Sequence, residues 1–164
     1  MSPELHRPIA VDRIGPAGLD VTVEAAAAEL TVLGHRMGLP AVLALTCAFH
    51  LHRDAAHRLV ARGHLHAEVM QTCVVSLEDF PAAVEEEFTV LFVPVGEETE
   101  NDDPDTPDEI GYEDGVIDLG EAAAEQLALA LDPYPHAPGA ELPESGNDPE
   151  DHPFAALAAL KRLQ

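Results

Sequence analysis

The chain has 164 residues, of which 46 % are hydrophobic, so it is long and apolar enough to bury the core of a single domain. Its formal net charge is −23, from 31 acidic residues against 8 lysines and arginines. This charge argues against tight, non-specific RNA binding and favours basic proteins as partners, although acidity that serves solubility alone is the simpler interpretation. With no apolar run of about 18 residues and no apolar signal core at the N-terminus, we expect a cytoplasmic protein without membrane contact.

The first 40 residues predict two strands and a helix. Residues 5–14 have the pattern of an edge strand interrupted by Pro8, and residues 19–23 alternate between apolar and polar side chains, which is the period of a strand. Residues 24–37 are rich in alanine and space their larger apolar side chains three and four apart, which predicts a helix that ends at Gly38.

Two strictly alternating runs, residues 41–54 and 57–70, predict a β-hairpin. Pairing Phe49 with Gly63 and Leu45 with Ala67 puts both apolar sets on one face, as a half-buried antiparallel pair requires. The apolar set comprises Leu43, Leu45, Cys47, Phe49, Leu51, Ala61, Gly63, Leu65, Ala67 and Val69.

The opposite face of the same hairpin collects polar side chains. These are Thr46, His50, His52, Arg62, His64, His66 and Glu68. Such a row is solvent-exposed by default, but four histidines with an arginine are also a candidate partner-binding patch. A metal site is a further alternative, because alternate residues of a strand point the same way.

A third long strand, residues 80–93, should join this sheet and be covered on both faces near its C-terminal end. Residues 96–114 then form an acidic loop broken by prolines, which we expect to be mobile. Its first acids are Glu97, Glu98, Glu100, Asp102 and Asp103. The loop is either a solvated linker or a docking segment for a basic partner.

The remainder predicts a short strand at residues 116–119 and a helix at residues 121–131. Residues 136–151 are a second polar linker, and residues 153–163 have the pattern of a short amphipathic helix. We therefore expect one domain at residues 1–135, followed by a linker and terminal helix at residues 136–164.

Motifs for catalysis are missing from the sequence. It has no phosphate-binding glycine loop, no HExxH, no GxSxG and no kinase set, so we expect a non-enzymatic protein without a cofactor. Cys47 lies on the apolar face and Cys73 ends a strand, and structural roles are favoured for both. A Mg²⁺-dependent nuclease or nuclease subunit is kept as an alternative, which would require acids fixed on rigid elements.

Three stretches of the chain carry a family resemblance. The first runs from Gly63 through Cys73-Val74-Val75-Ser76-Leu77 to Phe80; the second is Ile117-Asp118-Leu119 with the following helix; the third is the tail that begins with Pro153 and Phe154. In this order they resemble the YceD family of large ribosomal RNA subunit accumulation proteins. That family has a Cys-x-x-Cys-Leu motif, whereas the second cysteine is Ser76 here, which puts a zinc role in doubt.

The resemblance implies a role in the accumulation or processing of large-subunit ribosomal RNA. Ribosomal proteins or RNA-processing factors are then the expected partners, with precursor large-subunit RNA as a further candidate. For the fold we expect an α+β protein with an antiparallel sheet of about five or six strands, closed into a partial barrel as one alternative, and two packed helices.

Overall fold

The computed structural model describes residues 4–99 and 103–141. Within these ranges the chain forms two sheets and two α-helices, which confirms the α+β class. The strands are β1 (Pro8–Ala10), β2 (Leu19–Glu24), β3 (Ala41–Arg53), β4 (Leu59–Thr72), β5 (Asp79–Pro94), β6 (Asp108–Tyr112) and β7 (Val116–Asp118), and the helices are α1 (Ala27–Met37) and α2 (Leu119–Ala130). None of the helices in these ranges is long and apolar enough to cross a membrane.

The β3–β4 hairpin is the centre of the larger sheet and has the register that the sequence predicts. Phe49 is opposite Gly63 and Leu45 is opposite Ala67. Strand β5 continues the sheet in antiparallel pairing with β4, from Leu59 opposite Phe92 to Thr72 opposite Asp79. The strands of the hairpin hold their register because a one-residue slip would turn their leucines to solvent.

The start of β3 departs from the predicted alternation. Leu43 was expected on the apolar face, but it is 49 % exposed, whereas Val42 is buried. The register shifts between Val42 and Ala44, and a bulge of this kind reverses the facing of the residues before it. The alternation resumes at Leu45, which is buried.

The predicted antiparallel sheet is only partly right, because β2 to β5 pair antiparallel but β6 does not. Strand β6 pairs with β5 in parallel, with Val90 opposite Asp108 and Pro94 opposite Tyr112. This strand lies inside residues 96–114, which were expected to be loop throughout. Its partly buried Ile110 and Tyr112 pack against the core. The loop prediction relied on the acidic composition of the segment and did not take these two apolar residues into account.

The larger sheet has the order β2-β3-β4-β5-β6, and it does not close into a barrel. Strands β1 and β7 form a separate two-stranded sheet. The expected strand at residues 5–14 is reduced to three residues by Pro8, and Val11–Arg13 form a single 3₁₀ turn. Proline cannot donate to a ladder, which confines this strand to a short edge.

Both helices begin at residues other than those expected. Helix α1 starts at Ala27 because Glu24 still belongs to β2, and the Glu29 carboxylate accepts the Ala26 N–H at 2.7 Å. Helix α2 starts at Leu119 and is capped by Asp118, whose Oδ1 accepts the N–H groups of Gly120 and Glu121. Side-chain acceptors at this position satisfy N–H groups that the helix leaves unpaired.

The core lies between one face of the five-stranded sheet and the layer made by the helices. It joins the inward residues of β3 and β4 to Leu33 of α1 and Leu127 of α2. Leu5 and Ile117, beside and within the small sheet, are also fully buried. The helices cover one face of the sheet and leave most of the histidine-bearing face on the outside. On that face Val60 and Leu91 are nevertheless buried, so the sheet is covered on both faces near the C-terminal end of β5, as predicted.

Candidate interaction face

The outward face of the larger sheet, called the open face here, carries three rows of side chains across β2, β3, β4 and β5. These rows are Asp20, His50, Arg62 and Thr89; Thr22, Ala48, His64 and Glu87; and Glu24, Thr46, His66 and Glu85. Alternate residues of adjacent strands share a face, so the four histidines singled out in the sequence, His52 included, lie on one surface with Arg62.

Two of the histidines are held by neighbouring carboxylates. His50 Nδ1 lies 2.6 Å from Asp20 Oδ1, and His66 Nδ1 lies 3.2 Å from Glu85 Oε1. The His52 ring stacks on His50 with centroids 5.5 Å apart, and its buried Nδ1 has no hydrogen-bond partner among the described residues. These contacts fix His50 and His66 in place, whereas His64 takes part in no comparable pair within the described chain.

Arg62 is the central cation of the open face. Within residues 4–99 and 103–141 it forms no ion pair, in contrast to Arg7 with Glu29 and Arg36 with Glu121. A depression of about 650 Å³ lies beside it. Its outward-facing lining consists of Asp20, Thr22, Ala48, His50, Arg62, His64, Glu87 and Thr89. The small side chain of Ala48 leaves this space between larger neighbours.

Basic and acidic side chains are concentrated on different strands of the larger sheet. The hairpin, residues 41–72, holds three arginines and five histidines against the acids Asp54 and Glu68, whereas the flanking strands carry Glu24, Glu85 and Glu87. With only two acids against its three arginines, the hairpin thus has a formal charge of +1 in a very acidic molecule.

Metal binding by the histidine row gains no support from the geometry. No group of three or more histidine, cysteine, aspartate or glutamate side chains in the described ranges is arranged to hold a metal ion. The long spacing along each strand and the engagement of His50 and His66 with acids keep the four rings from converging.

The acidic segment before β6 returns to the sheet near the tip of the hairpin. Glu98 Oε2 accepts the Gly96 N–H at 2.6 Å, and Asp103 Oδ1 accepts the Asp105 N–H at 3.0 Å. Thr99 donates its N–H and its hydroxyl to Glu109, which keeps the pKa of Glu109 below its ordinary value, with the positive charge of Arg58 contributing. Glu97 is exposed. The other two acids predicted here, Glu100 and Asp102, lie outside the described residues.

A tight turn at residues 73–78 is a feature that the sequence did not reveal. Cys73 is fully buried, and Ser76 donates its N–H to the Cys73 Sγ at 3.4 Å. Hydrogen bonds from the Ser76 side chain, its N–H and the Ala137 N–H lower the pKa of Cys73 to about 6. Burial instead raises the pKa of Cys47 to about 12. Cys47 is therefore an ordinary core thiol, whereas the hydrogen-bond donors around Cys73 favour its thiolate form.

The remaining motif residues have structural positions. Gly63 leaves room for the Phe88 ring, Leu119 is buried, and Phe80 is half-buried opposite Gln71. Asp118 caps α2 and also accepts the Arg7 N–H at 2.8 Å. Pro153 and Phe154 lie outside the described residues.

The fold and the open face together define an α+β protein with a charged, largely exposed sheet surface. The family described as large ribosomal RNA subunit accumulation protein YceD matches residues 61–161, which is more than half of the chain. The chain therefore belongs to the YceD family, as the three motif stretches predict. No curated protein and no solved structure matches it.

Proposed function

We propose that this protein is a non-enzymatic accessory factor for large-subunit ribosomal RNA accumulation that works by binding basic ribosomal or RNA-processing proteins in the cytoplasm. The observation that carries the proposal is the family match over residues 61–161. The family name supports a role in large-subunit ribosomal RNA accumulation. The negative charge of the chain supports a basic protein as the partner.

The net charge of −23 favours a basic protein over an RNA backbone as the main partner. Basic protein segments would meet favourable potential over most of the surface, whereas phosphates would be repelled except at the hairpin. The open face then supplies limited RNA contact through Arg62 and His64, since these two side chains have no acidic partner among the described residues.

The first experiment is affinity capture of the full chain from its own cells, with and without ribonuclease. The proposal expects large-subunit ribosomal proteins or processing factors in the eluate, retained after ribonuclease treatment. Loss of all proteins after ribonuclease would mean that RNA is the direct partner. An eluate with neither ribosomal proteins nor precursor RNA would overturn the proposal.

The acidic segment is tested by the double variant Glu97→Lys and Asp105→Lys. These two side chains hold no described contact in the segment, whereas Glu98, Asp103 and Glu109 do, so the backbone should be retained. Capture should fall at least about tenfold if the segment docks the partner. Asp12→Lys with Glu141→Lys makes the same change in charge elsewhere, and an equal loss in both variants would assign the effect to total charge.

The open face is tested by Arg62→Ala with His64→Ala. Association with precursor ribosomal particles should weaken, because both side chains are exposed hydrogen-bond donors outside the core. The control His50→Ala removes a histidine that already pairs with Asp20 and should change association less. Full association of the double variant would remove this face from the proposal.

Absence of enzymatic activity is tested separately. Purified protein is incubated with precursor ribosomal RNA and Mg²⁺, and the RNA should remain intact. Cleavage that is lost in Glu85→Gln or Glu87→Gln, the acids fixed on β5, would instead support a nuclease.

A further inference from the structure

An exposed apolar patch lies far from the open-face histidines, at the end of α2. Four large apolar side chains are exposed there: Val74 (46 %), Leu77 (77 %), Leu129 (70 %) and Tyr134 (71 %). Val74 and Leu77 belong to the turn at residues 73–78, Leu129 to the last turn of α2, and Tyr134 to the segment that follows α2. The two segments are joined by the hydrogen bond from the Val74 N–H to the Pro135 carbonyl, at 2.9 Å. The hydrogen bond brings Val74 and Leu77 of the turn near Tyr134, and neighbouring exposed apolar side chains of this kind are candidates for a covered surface.

The conformation of Leu77 strengthens this inference. Its φ is 60°, a left-handed conformation that a leucine adopts rarely and at a cost of about 1 kcal/mol or more. Its N–H donates to the Cys73 carbonyl at 2.9 Å, which holds the turn. The turn therefore projects a large apolar side chain into solvent in a strained conformation, although a glycine would fit the backbone better.

A groove of about 420 Å³ runs between these two segments and the end of α1. Its apolar walls include Leu39, Pro40, Val74, Leu131 and Pro135. The Gln71 side chain donates to the Asp132 carbonyl at 3.3 Å and closes one side. A groove with these walls accepts aliphatic and aromatic side chains in a row.

The chain itself contains a segment with matching chemistry. The described residues end at Glu141, shortly after Ala137, whose N–H contacts the Cys73 sulfur beside the groove. The eleven residues that precede Pro153 can span up to about 36 Å. Phe154, Leu157 and Leu160 recur every three residues along the tail, which is a helical spacing.

Charge also favours this occupant. Lys161 and Arg162 are the basic residues of the tail. They would meet Asp132, which lines the groove, Glu78 in the turn and Asp79 at the start of β5. The apolar row and the basic end of one segment thus complement the apolar groove and its acidic rim.

We propose that residues 153–163 of the same chain bind in this groove and cover the apolar patch. The inference does not depend on the ribosomal role, because it concerns a contact within one chain. The segment shields Leu77 and Val74, and a partner that binds the patch must first displace it.

Hydrogen exchange of the full-length protein tests the proposal. In Phe154→Ala with Leu157→Ala, amides at residues 73–78 and 128–132 should exchange on the order of tenfold faster than in the parent chain. Amides in the centre of β3 and β4 serve as the internal reference, because faster exchange there as well would indicate a loss of global stability and not release of the groove. Ser145→Ala with Asn147→Ala is the matched control in the preceding linker, and it should leave exchange as in the parent.

A second measurement tests the contact between the tail and the patch by changing a residue of the patch. Leu77→Asp places a charge at an exposed position, so folding should survive, and trypsin should cleave at Lys161 and Arg162 about tenfold faster than in the parent. Unchanged exchange and unchanged cleavage would overturn the proposal. Protection that grows with protein concentration would overturn it too, because the segment would then come from a second copy.

Discussion

A single glycine decides how β4 and β5 fit together. A Cβ at Gly63 would lie only 2.6 Å from two carbons of the Phe88 ring, and that ring also meets Phe49 edge-on with centroids 5.7 Å apart. Glycine normally weakens a strand, but here the aromatic ring occupies the space that a side chain would fill.

Gly63→Ala should therefore destabilise the protein by about 1–3 kcal/mol, because the Phe88 ring must move out of a packed position. Urea unfolding measures the change. Phe88→Leu should make the same substitution less costly, and the coupling in this double-mutant cycle reports the contact. A neutral Gly63→Ala would mean that the ring moves freely and that the glycine has no packing role.

Cys73 links one side chain to the pH dependence of stability. Its pKa is lowered from 9.0 to about 6 by donors from Ser76 and Ala137. A group whose pKa is depressed on folding contributes stability above its unfolded pKa and loses it as pH falls through the folded value. The thiolate contribution is thus complete above about pH 9 and lost near pH 6.

The difference in unfolding free energy between the parent and Cys73→Ala should increase steadily as pH rises from 6 to 9. Cys47→Ala should give a nearly constant difference up to about pH 8 and the opposite trend towards pH 9, because the Cys47 pKa of about 12 keeps this thiol neutral in the folded chain while it begins to ionise in the unfolded chain. Denaturant unfolding at several pH values measures both, and thiolate absorbance gives an independent titration. A pH-independent difference for Cys73→Ala would show that the thiol is neutral.

At the scale of elements, the hairpin was predictable and the acidic segment was not. Strict alternation over two long runs fixed the β3–β4 register, down to the pairing of Phe49 with Gly63. The bulge at Val42 and the parallel strand β6 depend on contacts distant in sequence. Alternation cannot predict such contacts, because a short acidic strand gains its stability from the neighbour it joins.

Some features of the open face were predictable from the sequence and others were not. The alternating pattern predicted that the histidines share a face, and the pairing of the strands confirms it. It did not predict that Asp20 and Glu85, from two other strands, would hold His50 and His66. The Cys73 turn was missed because its donors include Ala137, more than sixty residues away.

The junction of β7 and α2 depends on Asp118. Its carboxylate caps the helix, accepts the Arg7 N–H and contacts His6 Nδ1. Asp118→Ala should lower the free energy of unfolding by about 2 kcal/mol, since a helix cap alone contributes about 1 kcal/mol and further donors lose their acceptor.

Asp118→Asn is the informative control, because the amide oxygen still accepts from the backbone. It should retain most of the stability that Asp118→Ala loses, as measured by urea unfolding. The exposed Asp12→Ala should have little effect. Equal losses in the alanine and asparagine variants would assign the effect to charge and not to capping.

At the scale of the whole molecule, charge is segregated. Residues 41–72 carry a formal charge of +1 with neutral histidines, so the rest of the chain carries −24. A partner with basic segments is therefore steered toward every surface except the hairpin. This asymmetry orients an incoming partner before contact.

If electrostatic steering accelerates binding of the partner, the association rate must decrease steeply as the salt concentration rises. The Debye length falls from about 10 Å at 0.1 M to about 3 Å at 1 M salt, so the association rate with a captured basic partner should fall at least about tenfold. The dissociation rate should change much less, because short-range contacts are screened less than the approach. Surface-based kinetics at several salt concentrations separates the two rates, and Glu97→Lys with Asp105→Lys should flatten the salt dependence. An association rate that is constant across this range would show that apolar contacts, and not the acidic surface, drive capture.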